Sequence, residues 1–176
     1  MDTLEEAAAR VRRGDTAAFQ SIVTSTSDSL VRLSARILGN VSDAEDVVQE
    51  SMVKAYRALV AEQFDGRSSV KTWLYRIVTH GSIDALRKRR RERTTSDEGI
   101  EAGWDGLALA EARLALQELT DWLAALPEEQ RVAIVLKSVE GLSTPEIAEI
   151  LECSEGAVEQ RLVRARATLR QKRSGS

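Results

Sequence analysis

The sequence lacks several features that small proteins use for cross-linking or for chemistry. Its 176 residues include one cysteine, one histidine and two prolines. Because Cys153 has no cysteine partner, an internal disulfide is excluded, which is typical of proteins from a reducing compartment. Cys153 and His80 are too few for a usual zinc site, so we expect no metal, and we expect no cofactor.

Long apolar runs are also missing. No run approaches the roughly 20 residues that span a bilayer, and the acidic start MDTLEEAAAR is unlike a secretory signal. We therefore expect a cytoplasmic protein without membrane insertion. Aromatic residues make up 4% of the chain, against 43% hydrophobic and 30% charged residues. Because Ala, Leu, Glu, Arg and Val dominate and strand-like alternation is rare, the composition favours an all-α protein with a buried core.

The net charge of -3 conceals two basic segments. One is the run from Arg87 to Arg93, and the other is the tail from Arg161 to Arg173, with an acidic stretch between them. Two basic segments on an acidic chain indicate two separate contacts with a polyanion. The alternative for the first run is that its cations favour the negative end of a helix dipole.

Capping and periodicity divide the first half into helices. Two short helices are predicted, around Ala17 to Val23 and Leu30 to Leu38. An S-x-x-E capping box at Ser42 and Glu45 opens the next helix. Ser69 is predicted to cap a further helix that continues into the first basic run.

The second half contains a helix-turn-helix pattern. Residues 94–106 lose periodicity and collect Gly, Ser, Thr and acids, which predicts a flexible linker. Ser143 and Glu146 form a second capping box, and after a short turn Ser154 caps a basic last helix. Two helices joined in this way are typical of a groove-reading DNA-binding unit.

The last helix offers polar and basic side chains on its outer face. If Val158 faces the core, Gln160 and Arg164 point outward, with Glu159, Arg161 and Arg166 on the flanks. Glutamine suits adenine and glutamate accepts from cytosine, whereas arginine binds phosphate. The alternative is that these are solvated surface residues.

The helix before the first basic run combines cations with aromatic rings. Arg76, His80 and Arg87 share one face, close to Trp73 and Tyr75. This combination suits a partly unstacked strand, because a base can lie on a ring while arginines pair with phosphates. For Trp73 the alternative is a core residue.

These residues resemble a known family. DAEDVVQESMVKAY, followed by FDGRSSVKTWLYRIVTHGSIDALRKRRR, is similar to the second conserved region of bacterial RNA polymerase sigma factors. LPEEQRVAIVLKSVEGLSTPEIAEILECSEGAVEQRLVRARATLRQ resembles the fourth region. The order of the two is that of the small extracytoplasmic-function (ECF) group. The resemblance implies two helical domains, at 1–93 and 107–176, joined by a linker at 94–106.

The resemblance implies a promoter-specificity subunit with three binding surfaces. The RNA polymerase core enzyme would contact Asp43, Asp46, Gln49 and Glu50. The minus-ten element of promoter DNA would be recognised and melted by Phe64, Asp65, Arg67, Ser68, Trp73, Tyr75, Arg76, His80, Arg87, Lys88, Arg90 and Arg91. The minus-thirty-five element would be read by Ser154, Glu159, Gln160, Arg161, Arg164 and Arg166. An anti-sigma factor is a further expected partner.

The sequence departs from the family pattern at a few positions. The family often has Asn in place of His80 and Gly in place of Glu152, and Lys-Ser in place of Glu159 and Gln160. A residue other than glycine in a left-handed cap costs about 1 kcal/mol. We therefore expect a shifted base preference and a differently shaped turn.

Two other functions stay open at this point. A stand-alone, dimeric helix-turn-helix regulator would bind duplex DNA without polymerase, although two unlike basic segments do not favour it. An enzyme acting on nucleic acid would need a carboxylate cluster, a nucleophile with its base or metal-ligand spacing, none of which is found. We expect a protein that is not an enzyme.

Overall fold

The computed structural model describes residues 3–93 and 120–174. Within these residues the regular secondary structure is helical and no strand occurs, which confirms the all-α prediction. No described helix is long and apolar enough to cross a membrane. Residues 120–124 are helical, and the principal helices are α1 Leu4–Arg12, α2 Ala18–Leu38, α3 Val41–Val60, α4 Val70–Arg93, α5 Glu128–Ser138, α6 Thr144–Ile150 and α7 Glu155–Ser174. The predicted linker at 94–106 lies outside the described residues.

Helices α1 to α4 form the N-terminal module (residues 3–93), in which each helix buries one apolar face. Ser69 caps α4 as predicted, since its Oγ accepts from the backbone N–H of Thr72 at 3.0 Å. A second cap comes from α1, where Glu5 Oε1 accepts from the N–H of Val70 at 3.3 Å. The start of α4 is therefore tied to α1, which positions the longest basic helix.

The prediction of two short helices before Gly39 is wrong, because α2 is one helix of 21 residues. The intervening Ser/Thr-rich stretch stays helical by bonding to its own backbone. Thr26 Oγ1 donates to the Ile22 carbonyl at 2.7 Å, and Ser27 Oγ donates to the Val23 carbonyl at 2.8 Å. Hydroxyls that donate to a carbonyl one turn back do not break a helix that is held by burial of one face, on which Thr26 itself lies.

The predicted cap at Ser42 is also wrong, because α3 begins at Val41 with Asn40 as its cap. Asn40 Oδ1 accepts from the N–H of Asp43 at 3.0 Å. The cause is the preceding turn. Gly39 ends α2 in the left-handed conformation with φ 75°, so the chain reverses at once and Asn40 becomes the first extended residue.

Helices α5 to α7, with residues 120–127, form the C-terminal module (residues 120–174). The capping box of Ser143 and Glu146 is confirmed, and Ser154 Oγ accepts from the N–H of Ala157 at 3.2 Å. Glu152 adopts φ 50° between α6 and α7. The turn thus has the left-handed geometry that glycine favours, at a cost of about 1 kcal/mol.

The two modules pack together, with α2 against α5 and α4 against α6. One apolar cluster includes buried residues of both, among them Leu33 and Leu136. Arg131 Nη1 donates to the Ile37 carbonyl at 2.9 Å, and burial lowers the pKa of this guanidinium. The described residues therefore enclose a continuous core.

Gly39→Ala is expected to lower the free energy of unfolding by about 1 kcal/mol, because Cβ disfavours the left-handed conformation at the end of α2. Gly156→Ala is the matched control. A Cβ added at Gly156, in α7, meets nothing within 4 Å, so this change should stabilise the helix by up to about 1 kcal/mol. Urea denaturation followed by circular dichroism measures both. Equal stability of Gly39→Ala and wild type would contradict the cap assignment.

Candidate nucleic-acid interface

The predicted polymerase-binding residues lie along one face of α3. Asp46, Gln49 and Glu50 are exposed, whereas Asp43 is half-buried and accepts a bond from Arg89 Nη1 at 3.3 Å. Helical spacing explains this face, because Ala44, Val47 and Val48 on the opposite side of α3 are buried. Three of the four side chains are therefore accessible to a partner, although Glu50 also pairs with Lys54 at 4.0 Å. Asp43 instead contacts α4.

An open groove follows this acidic face. It has a volume of about 540 Å³ and is lined by Asp46, Val47, Gln49, Glu50 and Val53. Val53 is 49% exposed, which is high for a large apolar side chain. A surface that combines exposed carboxylates with an exposed valine suits a protein partner with cations around an apolar centre.

The loop before α4 supplies exposed polar groups and a buried ring. Asp65 and Arg67 are exposed and form an ion pair at 3.2 Å, and Ser68 is half-buried. The Phe64 ring is buried and packs against Trp73 with centroids 4.8 Å apart. The alternative that Trp73 is a core residue is confirmed, since its side chain is 5% exposed.

The basic end of α4 is the most cationic surface of the N-terminal module. Arg87, Lys88, Arg90 and Arg91 are exposed, so the predicted phosphate-binding cations lie together at one end of the helix. Further back on α4, Arg76 and His80 are half-buried, and Tyr75 is buried. The predicted minus-ten residues thus differ in accessibility: the cations at the end of α4 and the loop residues Asp65 and Arg67 are exposed, whereas the rings of Phe64, Trp73 and Tyr75 are buried.

The outer face of α7 has the arrangement expected of a groove-reading helix. Val158, Leu162 and Ala165 are buried, so the helix presents its opposite side to solvent. The exposed side chains of the predicted set are Ser154, Glu159, Gln160, Arg164 and Arg166. These five residues lie on the solvent side of α7 together with Val163, an apolar side chain that is 64% exposed.

Arg161 differs from the other predicted minus-thirty-five residues, because it is held within the C-terminal module. Its Nε donates to Glu129 Oε2 at 3.1 Å, and its Nη1 lies 3.1 Å from Cys153 Sγ. Cys153 is half-buried and packs against the core. Among the described residues, no group of three His, Cys, Asp or Glu is placed to hold a metal ion.

Sequence reasoning missed Glu140, which lies between α5 and α6. Glu140 Oε2 accepts from Tyr75 OH at 2.9 Å, and Oε1 accepts from Arg36 Nη1 at 3.2 Å. The partners are 65 and 104 positions away along the chain, so no local pattern marks this residue. Burial, reinforced by the Glu140 carboxylate, raises the pKa of Tyr75 to about 12.

Comparisons with known proteins match both modules. Sigma-70 region 2 matches residues 22–92, and sigma-70 region 4 matches residues 116–169. The ECF RNA polymerase sigma factor SigW of Bacillus subtilis is 35% identical over 173 residues, which cover 92% of this chain and 91% of SigW. This chain belongs to the ECF sigma factor family. The ECF RNA polymerase sigma-E factor of Escherichia coli K12 is 36% identical over 174 residues, or 91% of this chain and 88% of that protein.

Solved structures resemble this sigma factor over most of its length. CnrH, solved in complex with the cytosolic domain of CnrY, is 30% identical with a TM-score of 0.74 and covers 97% of this chain and 96% of CnrH. The sigma factor RpoE of Bartonella quintana, solved with the anti-sigma factor NepR, is 28% identical with a TM-score of 0.71, covering 87% of this chain and 94% of RpoE.

Family membership determines the general activity. ECF sigma factors are promoter-specificity subunits of RNA polymerase, and this chain is one of them. Sigma factors initiate transcription without catalysing a reaction themselves, so the protein is not an enzyme.

The acid strength of Tyr75 provides a test of the Glu140 contact. Because the folded-state pKa, about 12, lies above the ordinary value of 10.0, the stabilisation from Tyr75 is complete below about pH 10 and is lost as pH rises toward 12. The tyrosinate absorbance is measured against pH for wild type and for Tyr75→Phe. The difference between the two curves reports Tyr75 and should have its midpoint near pH 12. In a Glu140→Gln background, the midpoint should fall toward 10. A wild-type midpoint at the ordinary value would contradict the contact, and circular dichroism at each pH verifies that the protein is folded.

Proposed function

We propose that this sigma factor recognises and melts the minus-ten element with the α4 surface and reads the minus-thirty-five element with α7. The observation that carries the proposal is the pair of separate, exposed cationic helix surfaces on an acidic chain. One such surface would suffice for a simple duplex binder. Two surfaces on unlike modules suit one promoter contacted at two places.

The minus-ten contact combines electrostatics with base recognition. The exposed group Arg87, Lys88, Arg90 and Arg91 is suited to phosphates, because each cation that pairs with a phosphate releases condensed counterions. Asp65 and Arg67 in the preceding loop are exposed polar groups that can border a base taken out of the stack. The part of α4 nearer its start, around His80, would contact the separated strand.

The minus-thirty-five contact uses the exposed face of α7. Glu159 and Gln160 are exposed in the first half of the helix, where side chains would reach base edges, and the exposed Arg164 and Arg166 further along would contact phosphates. A glutamate in place of a cation removes one phosphate attraction. We therefore propose that base contacts contribute more to this interaction than general charge does.

The protein partners follow from the acidic face of α3 and from the relatives. We propose that the polymerase core enzyme binds Asp46, Gln49 and Glu50, with Val53 at the apolar centre of the contact. RpoE of Bartonella quintana was solved with the anti-sigma factor NepR, and we propose that an anti-sigma factor also controls this protein. As a polymerase subunit, it would act in the cytoplasm.

Run-off transcription with core polymerase and a promoter library tests the proposal. Wild type should direct initiation from a subset of promoters. Asp46→Arg should reduce the transcripts at least about tenfold, because a misplaced charge at an interface costs several kcal/mol.

Asp28→Arg is the matched control for this experiment. Asp28 is exposed on α2 and is not among the residues proposed to bind the polymerase, so the same charge reversal should leave transcription unchanged. The proposal fails if wild type initiates from no promoter. The docking assignment fails if the two variants behave alike. Tight operator binding by a dimer without polymerase would instead indicate the helix-turn-helix regulator.

Gln160→Ala should change the preferred minus-thirty-five sequence at one base pair, by about 1 to 3 kcal/mol of discrimination, because it removes one bidentate base contact. Gln171→Ala is the control, since Gln171 is also exposed but lies far along α7 from the predicted base-reading half. Run-off transcription from templates varied at each position of the element measures both. Identical preferences for Gln160→Ala and wild type would refute the assignment of Gln160 as a base reader.

A further inference from the structure

The C-terminal module covers part of the α4 surface that the proposed function assigns to promoter DNA. Tyr75 OH donates to Glu140 at 2.9 Å, His80 Nε2 lies 2.9 Å from the carbonyl of Ile150, and Arg87 Nε donates to Glu128 at 2.8 Å. These contacts occur along more than three turns of α4. A strand of DNA and the C-terminal module therefore compete for the same side chains.

Glu140 is the point at which this packing is most specific. Its side chain is 12% exposed, and its carboxylate accepts from one donor of α4 and one of α2, both in the N-terminal module. A carboxylate with little access to water needs such donors, because its charge otherwise lacks compensation. The hydrogen-bonding capacity of Glu140 is therefore satisfied by protein donors when the modules are docked. When the modules separate, water has to replace those donors.

The first turn of α5 adds a second kind of contact. Glu128 pairs with Arg87 of α4 at 2.8 Å, and the next residue, Glu129, pairs with Arg161 of α7 at 3.1 Å. Carboxylates and phosphates bind a guanidinium through the same donors. One turn of α5 thus occupies an arginine from each of the two basic helices in the way a DNA backbone would.

The two kinds of contact contribute differently. The side chains of Arg87 and Glu129 are 55% and 58% exposed, so water and salt screen their ion pairs. Such pairs occupy DNA-binding cations but add little to docking. The Glu140 cluster is better shielded and lies beside the apolar core shared by the modules, so removing Glu140 should affect docking more.

We propose that the α4 surface is an interaction surface for the C-terminal module of the same chain, that free protein is closed by this contact, and that Glu140 is the residue on which the closed form depends. The inference rests on the proposed function for the identity of the DNA that is excluded. Promoter binding then requires the modules to separate, and the polymerase core would stabilise the separated form.

Small-angle X-ray scattering of the free protein measures the closure directly. Wild type should have the radius of gyration of a compact monomer, and Glu140→Ala should be larger. Glu149→Ala is the matched control, because Glu149 is exposed on α6 of the same module, and it should match wild type. An expanded wild type, or equal radii for all three proteins, would overturn the proposal.

Arg36→Ala provides an independent variant if Glu140→Ala loses helicity. It removes the α2 donor to Glu140 from the opposite module, and it should expand the protein in the same way. Circular dichroism establishes that each variant is folded. Folded Arg36→Ala with the wild-type radius would count against the role of the cluster.

Binding of a single-stranded promoter oligonucleotide, measured by fluorescence anisotropy without polymerase, tests the competition. If the closed form outnumbers the open form by about ten to one, Glu140→Ala should bind roughly tenfold tighter than wild type. Glu149→Ala removes the same charge and should bind as wild type does. Equal tightening in both variants would show a general charge effect and overturn the proposal.

The scattering experiment separates this inference from the proposed function. It involves neither polymerase nor promoter, so expansion of Glu140→Ala supports intramolecular docking even where run-off transcription fails. Conversely, if the free wild type is already expanded but directs transcription, the proposed function stands and the docking proposal fails.

Discussion

Burial of one apolar face per helix is the constraint on which the rest of this structure depends. A single cysteine leaves no disulfide to hold the helices, so packing between helices has to supply the stability. The apolar faces of α2, α3 and α4 meet inside the N-terminal module, and those of α5, α6 and α7 meet inside the C-terminal module. Charged residues are consequently sorted onto outer faces, and the same sorting produces the binding surfaces.

The sorting also separates positive from negative charge. The outer face of α3 is acidic, whereas the end of α4 and the outer face of α7 are basic. Opposite potentials on different helices allow one small protein to meet a polyanion and a protein partner at the same time. They also provide for contacts within the chain, because acidic side chains of α5 lie against basic side chains of α4 and α7. Arginines on a basic surface can thus pair with carboxylates of the same chain as well as with phosphates.

Short sequence patterns predict many of the helix boundaries and exposed faces of this protein, because caps, helix periodicity and charge runs each involve only a few neighbouring residues. Ser69, Ser143 and Ser154 were recognised as caps, and the outward direction of Gln160 and Arg164 followed from helical spacing. The failures had a similar origin. Ser42 has the sequence of a capping box, but the left-handed Gly39 makes Asn40 the cap. The Ser/Thr-rich part of α2 resembles a break, but burial of Ile22, Thr26 and Leu30 on one face keeps it helical.

The sequence by itself determined the helical class, the two basic segments and the family, because each depends on residues close together along the chain. Only the tertiary structure decided which of those residues are reachable. Glu140, its donors Tyr75 and Arg36, and the contact of His80 with Ile150 join positions 65 to 104 residues apart. Such contacts depend on how whole helices pack, and no short-range pattern encodes the packing of one module against another.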